Sequence, residues 1–279
     1  MKILITNDDS HRSPLLELAV EHYSRLGEVS LVVPQHEQSW TGKSMTRFSP
    51  VHVQKGELFG RSASFVSGTP ADCVNVAVHN LLGSRPDMVV SGINAGFNMG
   101  LGFVLSSGTV GACLEANLAG IPAIALSQAF DSATRNSFTA SYMIDAATME
   151  SFRSQTERVL SRLNERLFGP EHRQATLGCP VTWNVNIPFY LTDQAVLRAA
   201  PLGKTRYGKV FHEEPTLEGG SVRVFAHSDI EKVPDNDPAC DSSLIGNGCA
   251  TVSAVSVWNL AGGHQLAQST ASILAAFTG

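Results

Sequence analysis

The sequence predicts an α/β protein: a mostly parallel sheet flanked by helices, with a smaller β-rich extension at its C-terminal end. Two observations predict it. Short apolar runs without alternation, at Lys2–Thr6, Val29–Val33, Met88–Ser91 and Pro122–Leu126, suit strands covered on both faces. Between them lie segments of helical period punctuated by Ser, Pro and Gly, the alternation that builds β-α-β crossovers.

The elements follow in order. Lys2–Thr6 reads as the first strand and ends in Asn7, Asp8, Asp9 and Ser10. Ser13-Pro14 reads as a helix start, with Ser as N-cap and Pro in the first position. Leu15, Leu16, Ala19, Val20, Tyr23 and Leu26 keep helical spacing, and Gly27 stops the helix. Val29–Val33 is the second strand. Ala63–Val66 reads as a strand, Ala71–Leu82 as a helix, and Met88–Ser91 as a strand introduced by Arg85-Pro86-Asp87. Gly108–Ala119 is a helix stopped by Gly120, and Pro122–Leu126 a strand. Residues 139–168 are expected to form one long amphipathic helix, and Val181–Ile187 one further strand. After about residue 190 the pattern changes to short β-runs, such as Ser221–Phe225 and Ala250–Val257, and Gln265–Phe277 closes the chain as a helix. The expected division is a core over 1–190 and an extension over 191–279.

With 279 residues, 43% of them apolar, the chain can bury a large core, which excludes disorder as its main state. Twenty basic against twenty-five acidic residues give a net charge of −5, and no Lys/Arg run is dense enough for a nucleic-acid scaffold. Five scattered cysteines without a CxxC argue against a disulfide framework or zinc knuckle and suit a reducing compartment. No run approaches a membrane span, and the opening residues lack the apolar stretch of a signal peptide. A cytoplasmic protein is expected.

In parallel α/β sheets ligands bind beyond the carboxyl ends of the strands. There this sequence places Asp8 and Asp9, the loop Gln38–Ser44, the stretch Gly92–Asn98, and a helix opening at Ser107-Gly108-Thr109. Adjacent carboxylates among neutral oxygens suit a hard divalent ion, and like charges this close repel without a cation between them. The plainer alternative is that they cap the helix near Ser13. Ser107, Gly108 and Thr109 make a helix N-terminus suited to phosphate, or an ordinary cap. Thr41-Gly42-Lys43-Ser44 is not a P-loop, because Glu37 stands where that motif needs Gly. Lys43 reads as a point charge for a phosphate or a solvated lysine, and Trp40 as a base-stacking ring or a loop filler.

The opening KILITNDD, the loop VVPQHEQSWTGKSMT, SGTPADCV, PDMVVSGINAGFNMG, the SSGTV helix start and WNVNIP, in this order over about 1–190, resemble the SurE family of divalent-metal-dependent nucleoside-monophosphate phosphatases. The resemblance implies a Rossmann-like α/β core whose β-rich extension helps form a homodimer or homotetramer. It implies one divalent ion per subunit, Mg²⁺ or Mn²⁺, held by Asp8, Asp9, Ser39 and Asn94, with Asn98, Ser107, Gly108 and Thr109 on the phosphate side. Departures from the family pattern are Ser10 for the Gly after the Asp pair, Trp40 and Lys43 in a loop usually of small residues, and Gly100-Leu101-Gly102 for an acidic pair. Ser253–Val257 replaces a Ser-x-Thr-Pro-Leu segment.

The expected activity is therefore hydrolysis of nucleoside monophosphates by Asp8, Asp9 and Asn98, with water attacking in line or an Asp acting as nucleophile. The rivals are a phosphatase of the same scaffold acting on a phosphorylated biosynthetic intermediate, and a catalytically silent nucleotide or metal binder.

Overall fold

The first strand sets the layers. In β1 (Lys2–Thr6) the side chains of Ile3 and Ile5 join one apolar cluster and Leu4 joins the other, all buried. Helix α1 (Leu15–Ser24) covers the first face with Leu15, Leu16, Ala19 and Tyr23. β1 pairs in parallel with β2 (Glu28–Pro34) on one side and β5 (Met88–Ala95) on the other. The hairpin β3 (Val53–Leu58) and β4 (Arg61–Val66) adds β4 in parallel to β2. Helix α2 (Pro70–Val76) starts from a capping box in which Thr69 and Asp72 satisfy each other's backbone N–H, and it runs on as a π-turn over Ala77–Leu81.

After β5 come α3 (Gly100–Ser106) and α4 (Gly108–Leu118), bent by 73° at Ser107, then β6 (Ala123–Gln128). Helices α5 (Ser132–Ser141), α6 (Ala146–Phe168) and α7 (Arg173–Gly178) precede β7 (Thr182–Ile187). The remaining elements are β8 (Arg198–Ala199), β9 (Arg206–Tyr207), β10 (Phe211–Glu213), β11 (Val224–Ala226), β12 (Lys232–Val233), α8 (Asp241–Gly246), β13 (Thr251–Val255), a 3-10 helix over Val257–Ala261 and α9 (Gln268–Ala275). The computed structural model describes residues 1–193, 197–213, 224–226, 232–261 and 268–277.

The main sheet has the order β3-β4-β2-β1-β5-β6-β7-β13-β8. Its six consecutive parallel strands, taken alone, follow the doubly wound 3-2-1-4-5-6 order of a Rossmann-like fold. β10-β11 and β12-β9 form two small antiparallel pairs in the C-terminal part. Helices α1 and α6 contribute to one buried cluster, with Val159, Leu160 and Leu163, and α2 and α4 to the other, with Val74, Val110 and Ala116. Each fully buried Leu, Ile or Val contributes about 1.5–3 kcal/mol.

Five expectations need correction or a boundary. The single helix over 139–168 is two helices. Tyr142 takes a left-handed backbone that ends α5, and the Asp145 carboxylate accepts from Thr148 N at 2.9 Å to start α6. Ser13 does not cap α1, since its hydroxyl is buried without a partner and the turn is closed by its carbonyl. The run Ala250–Val257 supplies β13, which lies antiparallel to β7 inside the main sheet. The run Ser221–Phe225 lies outside the described residues except Val224 and Phe225, and the helix expected from Gln265 is described from Gln268.

Small residues in α4 let the loop after β2 lie on it. A Cβ on Gly111 would stand 2.1 Å from the Gly42 carbonyl oxygen. Gly111→Ala is expected to force this loop outward and cost about 1–3 kcal/mol; an unchanged urea midpoint would contradict the contact.

Candidate active site at the sheet switch point

β1 and β5 are neighbours, yet the chain leaves β1 toward β2 and leaves β5 toward β6. Their carboxyl ends therefore diverge and open a crevice, the place where doubly wound sheets bind ligands. Asp8 and Asp9 extend β1 into it. The end of β5, irregular between Ser91 and Asn94, extends Asn94 and Ala95 into it.

Asp8 is 3% exposed and Asp9 4%. Asp8 accepts two bonds from Thr109, from the hydroxyl at 2.6 Å and from the backbone N–H at 3.0 Å. Asp8 thus occupies the N-terminus of α4, where the helix dipole favours negative charge. Asp9 accepts from the backbone N–H of Ala95 at 2.8 Å, which ties β1 to β5 beside Asn94. Neither carboxylate caps α1, the plainer role the sequence allowed. Burial pushes the Asp8 carboxyl up to about 6, against the lowering effect of the Thr109 bonds. Asp9 rises well above the usual carboxylate range, through burial first and the neighbouring Asp8 charge second. Among the described residues no cationic side chain forms an ion pair with either. Nor do three His, Cys, Asp or Glu side chains converge there. Two carboxylates supplemented by hydroxyl and amide oxygens are a donor set for a hard divalent ion.

The loop after β2 is pinned at both ends. Gln38 N donates to the Asp8 carbonyl at 2.8 Å and Gly42 N to the Ser106 carbonyl at 2.9 Å. Exposed Ser39 sits between, its N–H on the Glu37 carboxylate at 2.9 Å. Ser10, where the family pattern has Gly, takes a left-handed backbone (φ 65°), the conformation that favours Gly. Its carbonyl accepts from the Asn7 side chain at 2.7 Å.

Asn98 is buried and held on three sides. Its side-chain amide donates to Ser127 Oγ at 2.9 Å, its N–H to Asn186 Oδ1 at 2.7 Å, and its carbonyl accepts from Asn184 Nδ2 at 2.8 Å. Ser107 caps α4 by accepting from Val110 N at 3.1 Å. Gly108 packs so closely that a Cβ there would lie 2.9 Å from Asp8 Cβ and from the Gln38 carbonyl oxygen. Asp8, Gly108 and Thr109 are thus in contact, while Asp9 borders Asn94 through Ala95. Lys43 lies elsewhere: its ammonium pairs with Glu115 at 2.6 Å, and Asn75 donates to the same carboxylate at 2.7 Å.

Four supports were not singled out from the sequence. Asn184 and Asn186 alternate along β7, a polar period of two at the end of a buried strand, and that was the available signal. Ser127 had no such signal. Buried Asp241 receives Gly100 N at 2.8 Å and Gly203 N at 2.9 Å, which fastens the start of α3 to the C-terminal part. Gly100 and Gly102, which stand for the family's acidic pair, let that segment approach. A Cβ on either would come within 2.8 Å of Thr205 or Arg206.

A family profile described as survival protein SurE matches residues 3–209. The chain belongs to the SurE family. A 5'-nucleotidase SurE of Methanocella arvoryzae is 36% identical over 225 residues, 79% of each chain. The enzyme of the same name from Geotalea daltonii is 49% identical over 127 residues, 46% of this chain and 50% of the relative. Its counterpart from Thermofilum pendens is 44% identical over 131 residues, 47% and 50%. The chain thus spans about half the length of several curated SurE relatives it matches, and about four-fifths of another. The crystal structure of the SurE protein from Aquifex aeolicus superposes with a TM-score of 0.68 at 24% identity, covering 93% of this chain and 96% of that one, which shows the shared fold. Among the described residues no single helix is long and apolar enough to cross a membrane.

The raised carboxyls make stability depend on pH. Asp8 holds its proton more tightly folded than unfolded, so its favourable contribution is complete below about pH 4 and fades as pH rises through about 6, and Asp9 is shifted in the same direction. In EDTA, Asp8→Asn is therefore expected to melt higher than the unmodified protein by a margin that widens from pH 5 to pH 7. A margin that is constant or shrinks over that range would contradict the burial of an uncompensated Asp8.

Proposed function

We propose that this protein is a metal-dependent phosphomonoesterase that hydrolyses nucleoside monophosphates to nucleoside and phosphate. The observation that carries the reading is the buried Asp8–Asp9 pair at the switch point, with no cationic side chain among the described residues forming an ion pair with it. Supporting it is the family, whose curated relatives are named 5'-nucleotidases.

In this reading Asp8 and Asp9 hold one divalent ion, Mg²⁺ or Mn²⁺, with the Ser39 hydroxyl and the Asn94 amide oxygen as neutral ligands. When bound, the ion polarises a phosphoryl oxygen and lowers the pKa of a water. Asn98 is rigidly held by Ser127, Asn184 and Asn186, so its amide can orient the phosphoryl group without reorganising. The turn at Ser107, Gly108 and Thr109 brings the positive end of α4 to the same place. Thr109 acts through Asp8, since both its donors end there. With both oxygens accepting from Thr109, Asp8 is held as a ligand and not as a nucleophile, which favours attack by water.

The packing of Gly100 and Gly102 under residues 205 and 206 favours a second reading, in which the remodelled rim accepts a different phosphorylated intermediate. We further propose that the catalytic core spans 1–190, that residues 191–279 contribute to homodimer or homotetramer contacts, and that the five free cysteines fit a reducing cytoplasm.

Phosphate release from 5′- and 3′-mononucleotides and other phosphomonoesters, with Mg²⁺, Mn²⁺ or EDTA, tests the reading. EDTA-sensitive release from nucleotides is expected, and release from non-nucleotide esters alone would favour the second reading. Asp8→Asn is expected to lower kcat/KM at least about 100-fold and to abolish the rise in Tm that Mg²⁺ or Mn²⁺ gives the unmodified protein at pH 7.5. Full activity in that variant would overturn the site.

A further inference from the structure

We propose that Trp40, backed by Phe103 and Tyr207, is the surface on which the substrate's base stacks, and that it gives this enzyme a preference for purine nucleotides. The proposal rests on the phosphatase reading and adds a specificity-determining residue to it.

Trp40 follows Ser39 directly, in the loop pinned at Asp8 and Ser106. Its backbone is left-handed (φ 64°), an uncommon state for so bulky a residue. The residue remains 45% exposed. What it does touch is aromatic: the Tyr207 ring at 5.0 Å between centroids and the Phe103 ring at 6.3 Å. Phe103 in turn meets Tyr207 and Phe97, each at 5.8 Å. Phe97 directly precedes Asn98, and the Lys232 ammonium lies 4.0 Å from its ring centre. The rings thus form one wall beginning at the residues flanking the proposed metal and phosphate positions.

A loop filler would bury its ring. Here a pinned loop, a strained backbone and a row of supporting rings hold Trp40 half in solvent beside a polar site. Such a ring suits a planar ligand, because stacking needs a face and no particular hydrogen-bond pattern. Two fused rings overlap it more than one, which favours purines. A sugar phosphate without a base has no face to offer.

The test compares the unmodified, metal-loaded protein with Trp40→Phe and Trp40→Ala. Steady-state hydrolysis is measured for adenosine 5′-monophosphate, cytidine 5′-monophosphate and ribose 5-phosphate. In Trp40→Ala the ratio of kcat/KM for the adenine nucleotide to that for ribose 5-phosphate is expected to fall about ten-fold, and the purine preference to flatten. Trp40→Phe should retain most of both. Calorimetric titration with adenosine, which carries no phosphate, reads the stack without hydrolysis, and its Kd should weaken about ten-fold in Trp40→Ala. An unchanged ratio together with unchanged adenosine affinity overturns the proposal, as does an unmodified protein that binds no adenosine. Absence of phosphate release from every ester would remove the hydrolase reading alone, because the titration still decides the stack.

Discussion

Two carboxylates buried side by side repel each other and are shielded from solvent, and the rest of the site is arranged around that fact. The protein answers the repulsion only in part. Thr109 gives Asp8 two hydrogen bonds at the start of α4, and Ala95 gives Asp9 one from the end of β5. Both carboxyls still sit above their ordinary range. The contacts that relieve the strain are also those that join β1 to the helix and strand on either side, so electrostatics and architecture meet at the same atoms. What is left over is an affinity for positive charge that the fold itself does not satisfy.

Around this centre the chain relies chiefly on backbone and amide groups, with the Glu37 carboxylate adding to the repulsion from the Ser39 loop. Asn98 is fixed by Ser127, Asn184 and Asn186, and the Ser39 loop by main-chain bonds to Asp8 and Ser106. Neutral donors and acceptors can be buried and satisfied without adding to the repulsion. Asp241 extends the scheme outward. It clamps the glycine segment at 100–102 to the C-terminal part, so the rim of the crevice is built by residues some 140 positions from one another along the chain.

Much of the parallel core was legible because its strands are buried on both faces, as in Ile3–Ile5 and Met88–Val90, and carry unbroken apolar runs. β3 was missed because VQKGEL is mostly exposed and polar, and only pairing with β4 makes it a strand. The helix break near Tyr142 was missed because helical periodicity continues across it, while a left-handed residue and the Asp145 cap decide the boundary. In the site, Asp8, Gly108 and Thr109 were found together because strand ends and helix starts are visible as sequence. The partner of each donor was not visible. That Thr109 spends both donors on Asp8, and that Lys43 is taken by Glu115, depends on packing between segments far apart in the chain.

The family match ends at residue 209, but the sheet does not end there. β7, the last parallel strand, has its outer edge covered by β13, from residues 251–255. A chain trimmed at the family boundary would keep Asp8, Asp9, Asn94 and Asn98, lose the Asp241 clamp on the glycine segment, and bare the outer edge of a six-residue, fully buried strand to water. Such an edge is a template for pairing with other chains. In this protein β13 therefore acts as a seam, and the closure of the sheet edge and the Asp8–Asp9 crevice are inherited from different stretches of sequence.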